Sequence, residues 1–298
     1  MGKVWRAPFA FSLSLPYQSR MTRKLTDRRR LMAARARARR ADPPELHVAL
    51  RDDLLERLEA VNKTFTEPAV VSAFPEVWTD VLPHARLLPD DTMLDLVAGA
   101  HDLVLHAGVL HWSDDPVGQL IQCRRALRPD GLFLAAAPGG RTLQELRTVL
   151  AEVEARIRGG LSPRVAPMAD VREFGAALQR AGFALPVADV EAFALTYPDV
   201  RSLLHDVRAM GESNALAARD LTPLNRKFFD LVGQTYTRDH TTADGRVAAT
   251  LEIIHLAGWA PHASQPRPLK PGSAQHRLAD ALVMKDPPVQ DTGFGRAD

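Results

Sequence analysis

Between Gly2 and Gly99 the chain contains no glycine, although 18 occur in its 298 residues. Glycines are what let a backbone turn tightly and approach a ligand. The first third of the sequence therefore offers no Gly-rich phosphate or nucleotide cradle. A single cysteine, Cys123, excludes an internal disulfide framework and a cysteine-built zinc site. No apolar run reaches the roughly 18 residues needed to span a bilayer as a helix. The formal net charge of +2 conceals an asymmetry. Residues 1–40 carry 12 Lys/Arg and one acid, Asp27, so the remainder is net −9. That distribution excludes a uniformly basic nucleic-acid-binding body. With 46% hydrophobic residues the chain can bury a sizeable core.

Three regions emerge from composition: a basic, disordered arm over residues 1–40, a domain over 41–285 and a flexible tail over 286–298. Residues 1–20 read as a transit peptide or as an unstructured extension before Met21. The Arg/Ala-rich stretch over 28–40 reads as a solvated arm or as a contact for an anionic membrane surface or for RNA.

Residues 45–62 have helical apolar spacing, and 69–74 fit a short strand. From residue 90 helices and strands alternate. Strands are expected at 102–110, 132–137, 185–195 and 250–259. Helices are expected at 115–127, 142–158, 170–181, 200–210 and 223–236. Alternation with apolar strands predicts an α/β fold with a mostly parallel sheet.

Asp90-Asp91 is followed by Asp102-Leu103-Val104, then His111-Trp112, then Leu127-Arg128-Pro129-Asp130-Gly131. This order resembles the second half of a class I S-adenosylmethionine (SAM)-dependent methyltransferase. Further along come Gly139-Gly140-Arg141-Thr142-Leu143-Gln144-Glu145-Leu146-Arg147 and Gly159-Gly160-Leu161-Ser162-Pro163. Met210-Gly211-Glu212-Ser213-Asn214, Gly258-Trp259 and Ser264-Gln265-x-x-Pro268 complete the set. Together they resemble the mitochondrial complex I assembly factor 5 family and its bacterial relatives, and more distantly the methyltransferase acting on malonyl-carrier protein.

The resemblance implies a truncated, Rossmann-like class I methyltransferase fold with flanking helices and a helical lid. It implies SAM as cofactor, with Asp90, Asp91 and His111 on the cofactor side. His111, Trp112, Glu212 and Asn214 become the catalytic candidates, and no metal is expected. The implied activity is methyl transfer or arginine hydroxylation. The implied partner is a protein substrate or a respiratory-complex subunit, in a bacterial cytoplasm or in the mitochondrial matrix at the inner membrane. One departure divides the readings. Residues 64–89, where the Gly-rich turn belongs, contain no glycine and are short for a strand–helix–strand unit, which takes about 30 residues. Either the cofactor site is rebuilt in an active enzyme, or the fold is kept as a binding and assembly module without the chemistry.

Overall fold

The computed structural model describes residues 24–40 and 44–266. The expectations for residues 1–20, for Pro268 and for the tail over 286–298 fall outside them. The chain divides into a compact unit, Met1–His262, and a second, Ala263–Asp298. Every strand and helix among the described residues belongs to the first unit.

The center of that unit is a six-stranded sheet in the order β2-β1-β3-β4-β6-β5. The strands are β1 (Pro68–Ser72), β2 (Arg86–Leu88), β3 (His101–Ala107), β4 (Leu127–Pro138), β5 (Ala184–Tyr197) and β6 (Val247–Trp259). The pairs β1–β2, β1–β3 and β3–β4 are parallel, and β6 runs antiparallel to both β4 and β5. β1 is buried throughout and β3 almost throughout, which explains their unbroken apolar runs. From β1 the chain goes outward to β2 and then returns to the other side of β1 as β3. The strand order thus reverses between β1 and β3.

Seven helices accompany the sheet among the described residues: α1 (Arg28–Ala38), α2 (Glu45–Glu59), α3 (Pro116–Ala126), α4 (Gln144–Arg158), α5 (Val171–Ala181), α6 (Val200–Ala209) and α7 (Arg226–His240). Five of these starts, all but those of α2 and α4, carry a side-chain cap. Asp115, Asp170, Asp199 and Asn225 each accept a hydrogen bond from a first-turn backbone N–H, and Asp170 and Glu173 form a full capping box. α2 packs on β3 and β4, and α3 and α5 pack on each other and on the sheet. Cys123 of α3 is fully buried in this core, and burial pushes its thiol up to about 12.

β4 stops at Pro138, opposite Ile253, while β5 and β6 continue together to the pair Tyr197–Val247. This ribbon projects past the carboxyl end of β4. Leu146, Val149, Leu203, Phe228 and Val232 from α4, α6 and α7 pack with its Val247 and Ala249 in a second core, which realises the expected helical lid.

Two regions differ from the sequence expectation. In place of a loose arm, residues 28–38 form α1, with Leu31, Ala34, Arg35 and Ala38 buried. The stretch over 64–89 builds β1, a 3-10 turn at Pro75–Trp78 and the unforeseen three-residue β2. The strand–helix–strand unit is therefore present in reduced form, with a single 3-10 turn where a helix would stand.

Candidate functional site

β3 delivers the chain to Gly108, which has a φ of +70, and a 3-10 turn then sets Leu110, His111 and Trp112 at the carboxyl end of the sheet. Glu212 reaches the same place from the end of α6. Gly211 adopts a φ of +78, with its N–H donating to Arg208 O and the Glu212 N–H donating to Val207 O. This is a Schellman closure of the helix, and it aims the Glu212 side chain back at the sheet. His111 Nε2 lies 2.9 Å from Glu212 Oε2, and Trp112 Nε1 donates to the same oxygen at 2.5 Å. The His111 side chain is 1% exposed and that of Glu212 is 15% exposed. Burial alone would raise the Glu212 carboxyl, but His111, Arg35 and His47 overcome it and bring it down to about 2. Glu212 is therefore an anion. Its second oxygen, Oε1, is buried without a hydrogen-bond partner, as is His111 Nδ1.

These groups line one end of a cavity of about 390 Å³. The walls are apolar, with Leu146, Leu203, Leu204 and Leu251 among them, and Asn214 and Arg208 also reach the lining. Asn214 Nδ2 donates to Pro163 O at 3.0 Å, and its Oδ1 accepts from Leu216 N–H. Arg164 on the wall is already engaged, paired with Glu154 and lying over the Phe228 ring.

On the other side of Glu212 lie the groups at the carboxyl ends of β1 and β2. Asp90 is 2% exposed and pairs with Arg35 of α1, itself 1% exposed. Arg28 Nη1 reaches the other Asp90 oxygen at 3.1 Å. Asp91 faces solvent, 3.9 Å from Arg28. After β1, Phe74 is fully buried beside the His47 ring, with centroids 4.5 Å apart. Burial pushes His47 and His106 down to about 4 each, so both are neutral near pH 7. Among the described residues no cluster of three His, Cys, Asp or Glu side chains could hold a metal ion.

Residues 75–135 match the family described as "Methyltransferase domain". Arginine-hydroxylase NDUFAF5, mitochondrial, from Danio rerio is 34% identical over 232 residues, which are 77% of this chain and 72% of that protein. The chain belongs to this family, within the class I SAM-dependent methyltransferase superfamily. The Homo sapiens NDUFAF5 is 34% identical over 72% of this chain and 62% of its own length. A malonyl-[acyl-carrier protein] O-methyltransferase from Laribacter hongkongensis is 35% identical over 63% of this chain and 61% of its own. Among solved structures, a putative methyltransferase from Bacillus halodurans C-125 aligns with 70% of this chain and 98% of that one, at 13% identity and a TM-score of 0.45.

Of the family-derived candidates, the fold joins His111, Trp112 and Glu212 in direct contact and puts Asn214 on the same cavity. Asp90 stands apart from that cavity, paired with Arg35, and the Asp91 carboxylate faces solvent while its backbone carbonyl accepts from Gln119 Nε2. Glu145 is taken up by Thr250, and Arg147 by backbone carbonyls. Sequence reasoning missed Arg35 and His47. A signal existed for Arg35: Leu31, Ala34, Arg35 and Ala38 form one helical stripe, so the arginine shares the face of the small apolar residues.

Proposed function

We propose that this chain binds an arginine side chain presented by a protein partner, with the guanidinium held by Glu212, and that it acts as a respiratory-complex assembly-type member of its family. The observation that carries this reading is that Glu212, a residue of the cavity lining, keeps one carboxylate oxygen, Oε1, buried without a hydrogen-bond partner. A buried polar atom without a partner calls for an explanation, and on a cavity-lining residue a bound guest supplies one. Because Glu212 is anionic it can only accept, so the guest must donate. An apolar wall leading to a buried carboxylate suits a side chain with a methylene stem and a fork of N–H donors. That relatives are named arginine-hydroxylases supports the same choice.

On this reading His111 and Trp112 fix the carboxylate by donating to Oε2, and Asn214 ties the loop to Pro163. The exposed Arg29, Arg30 and Arg40 face outward, available to an anionic membrane surface in a mitochondrial matrix or a bacterial cytoplasm. No helix among the described residues is long and apolar enough to cross a membrane.

The test is calorimetric titration of the full chain with a short arginine-bearing peptide and with its citrulline counterpart, which keeps the shape and loses the charge. Tight binding of the first and at least tenfold weaker binding of the second is expected. Equal binding of both would remove Glu212 from the reading. The other reading, catalysis with a rebuilt cofactor site, predicts that the peptide gains one oxygen or one methyl group by mass spectrometry.

A further inference from the structure

In open α/β sheets ligands bind outside the carboxyl ends of the strands, where the strand order reverses. Here that place is the crevice beyond β1 and β3. The family implies SAM there, and the residues present can be tested against it. The ends of β1, β2 and β3 bring Phe74, Asp90 and Gly108 to the crevice. Phe74 is fully buried, and no glycine follows β1 to let the backbone approach a ligand. A Cβ on Gly108 would stand 2.9 Å from Leu50 Cδ1 and 3.5 Å from His47 Nδ1, so α2 already lies against the end of β3. A Cβ on Gly211 would stand 3.2 Å from both Arg35 Cγ and Phe74 Cζ. The Asp90 carboxylate accepts from Arg35 and Arg28. These residues do not fit a bound SAM.

We infer that α1 is the resident occupant of this crevice: the Arg35 guanidinium stands where a nucleoside ligand would stand and is paired there with Asp90. Three observations carry this independently of what the cavity binds. First, Arg35 is the only buried arginine among the described residues, and its Nη1 pairs with the buried Asp90 while its Nε and Nη2 are buried without a hydrogen-bond partner. A planar cation with N–H donors in a fixed fork is a chemical substitute for an amine-bearing ring facing a carboxylate. Second, a neighbouring arginine, Arg39, donates to Ala73 O at 2.5 Å and lies over the Phe74 ring, so α1 also clamps the turn after β1. Third, α1 is stitched to the loop that carries Glu212. Asp27 N–H donates to Ala215 O, Ala217 N–H donates to Leu25 O, and Thr26 Oγ1 donates to Trp112 O, each at 2.8 Å. Through these contacts α1 holds the loop that carries Glu212 against the sheet without contacting a guest itself.

Thermal melting of the full wild-type chain with millimolar SAM or S-adenosylhomocysteine tests this directly. No change in Tm is expected. A ligand near 100 times its Kd would raise Tm by several degrees, and such a saturable rise would overturn the inference. Hydrogen exchange supplies a second readout. The amides of residues 31–38 should exchange as slowly as those of β3, with or without SAM. Fast exchange of α1 alone, or loss of its protection when SAM is added, would show a loose or displaceable helix and would equally overturn it. Peptide titration reads the cavity and these measurements read the crevice, so failure of either inference leaves the other standing.

Discussion

His111 and Glu212, 101 residues apart in sequence, meet at 2.9 Å between Nε2 and Oε2 at the carboxyl end of the sheet. Trp112 donates to the same oxygen. Two donors on Oε2 leave Oε1 bare, and this division of labour within one carboxylate makes the site directional. The Glu212→Gln variant keeps the shape and removes the charge. Its affinity for an arginine peptide should fall at least tenfold, about 1.4 kcal/mol, in keeping with about 1.5–3 kcal/mol for hydrogen bonds to charged groups. Calorimetry measures it. An unchanged Kd would mean that the guest, if any, sits elsewhere in the cavity.

Stability should depend on pH below neutrality in a way set by three buried groups. His47 and His106 are held near 4 by burial, below the ordinary 6.5. The folded chain therefore binds fewer protons than the unfolded chain between those values. Stability is complete above about pH 6.5 and falls as pH drops toward 4. The two groups together give a slope of up to about 2.7 kcal/mol per pH unit near pH 5. Glu212, depressed from 4.5 to about 2, adds a further loss as pH falls from 4.5 toward 2. Urea melts from pH 7 to 4 check the first part. In His106→Asn, which keeps a polar group beside Gln119, the slope near pH 5 should halve.

Arg35 and Arg28 bind one carboxylate from unequal environments, with side chains 1% and 28% exposed. Arg35→Ala leaves Asp90 buried with one half-exposed partner and should cost about 3–5 kcal/mol, the range for breaking a buried pair. Arg28→Ala leaves the inner pair intact and should cost about 1 kcal/mol or less. Chemical denaturation of both variants separates them. Equal costs would mean that Asp90 is solvated in solution and that α1 does not seal the crevice.

Much of the fold was legible because its signals are local. The helix expected over 142–158 spans Gln144–Arg158, and the one over 170–181 spans Val171–Ala181, each stopped by a glycine in the left-handed region. β3 and β4 were legible as apolar runs. Three residues of β2 carry too little pattern to announce a strand, and its existence depends on pairing with β1. The ordering of α1 was hidden for a different reason. Its charge suggests repulsion and solvation; the stripe of Leu31, Ala34, Arg35 and Ala38 marks the inward face, but the partners that hold it, Asp90 and the loop at Ala215, lie far away in sequence. The His111–Glu212 contact was likewise invisible to spacing, although both residues belong to motifs carried over from the family. The glycine-free stretch showed where a cradle was missing, but not that Phe74 and α1 fill its place.

Gly211 and Gly245 provide a matched test of how Glu212 is aimed, since both have a φ of +78. Alanine at Gly245 meets nothing within 4 Å, so Gly245→Ala costs only the backbone strain of the left-handed conformation, about 1 kcal/mol. Alanine at Gly211 carries the same strain and also presses on the side chains of Arg35 and Phe74 and on the Arg35 backbone, at 3.2–3.3 Å. Neither α1 nor the turn after β1 can retreat freely, because Arg39 joins them. The strain must then be relieved at the Schellman closure, which moves Glu212 relative to His111 and Trp112. Gly211→Ala should therefore lose about 2 kcal/mol or more of stability and also weaken arginine-peptide binding, whereas Gly245→Ala should lose less stability and bind as wild type. Denaturation and peptide titration on the two variants measure both quantities. If Gly211→Ala binds as tightly as Gly245→Ala, the position of Glu212 does not depend on this turn.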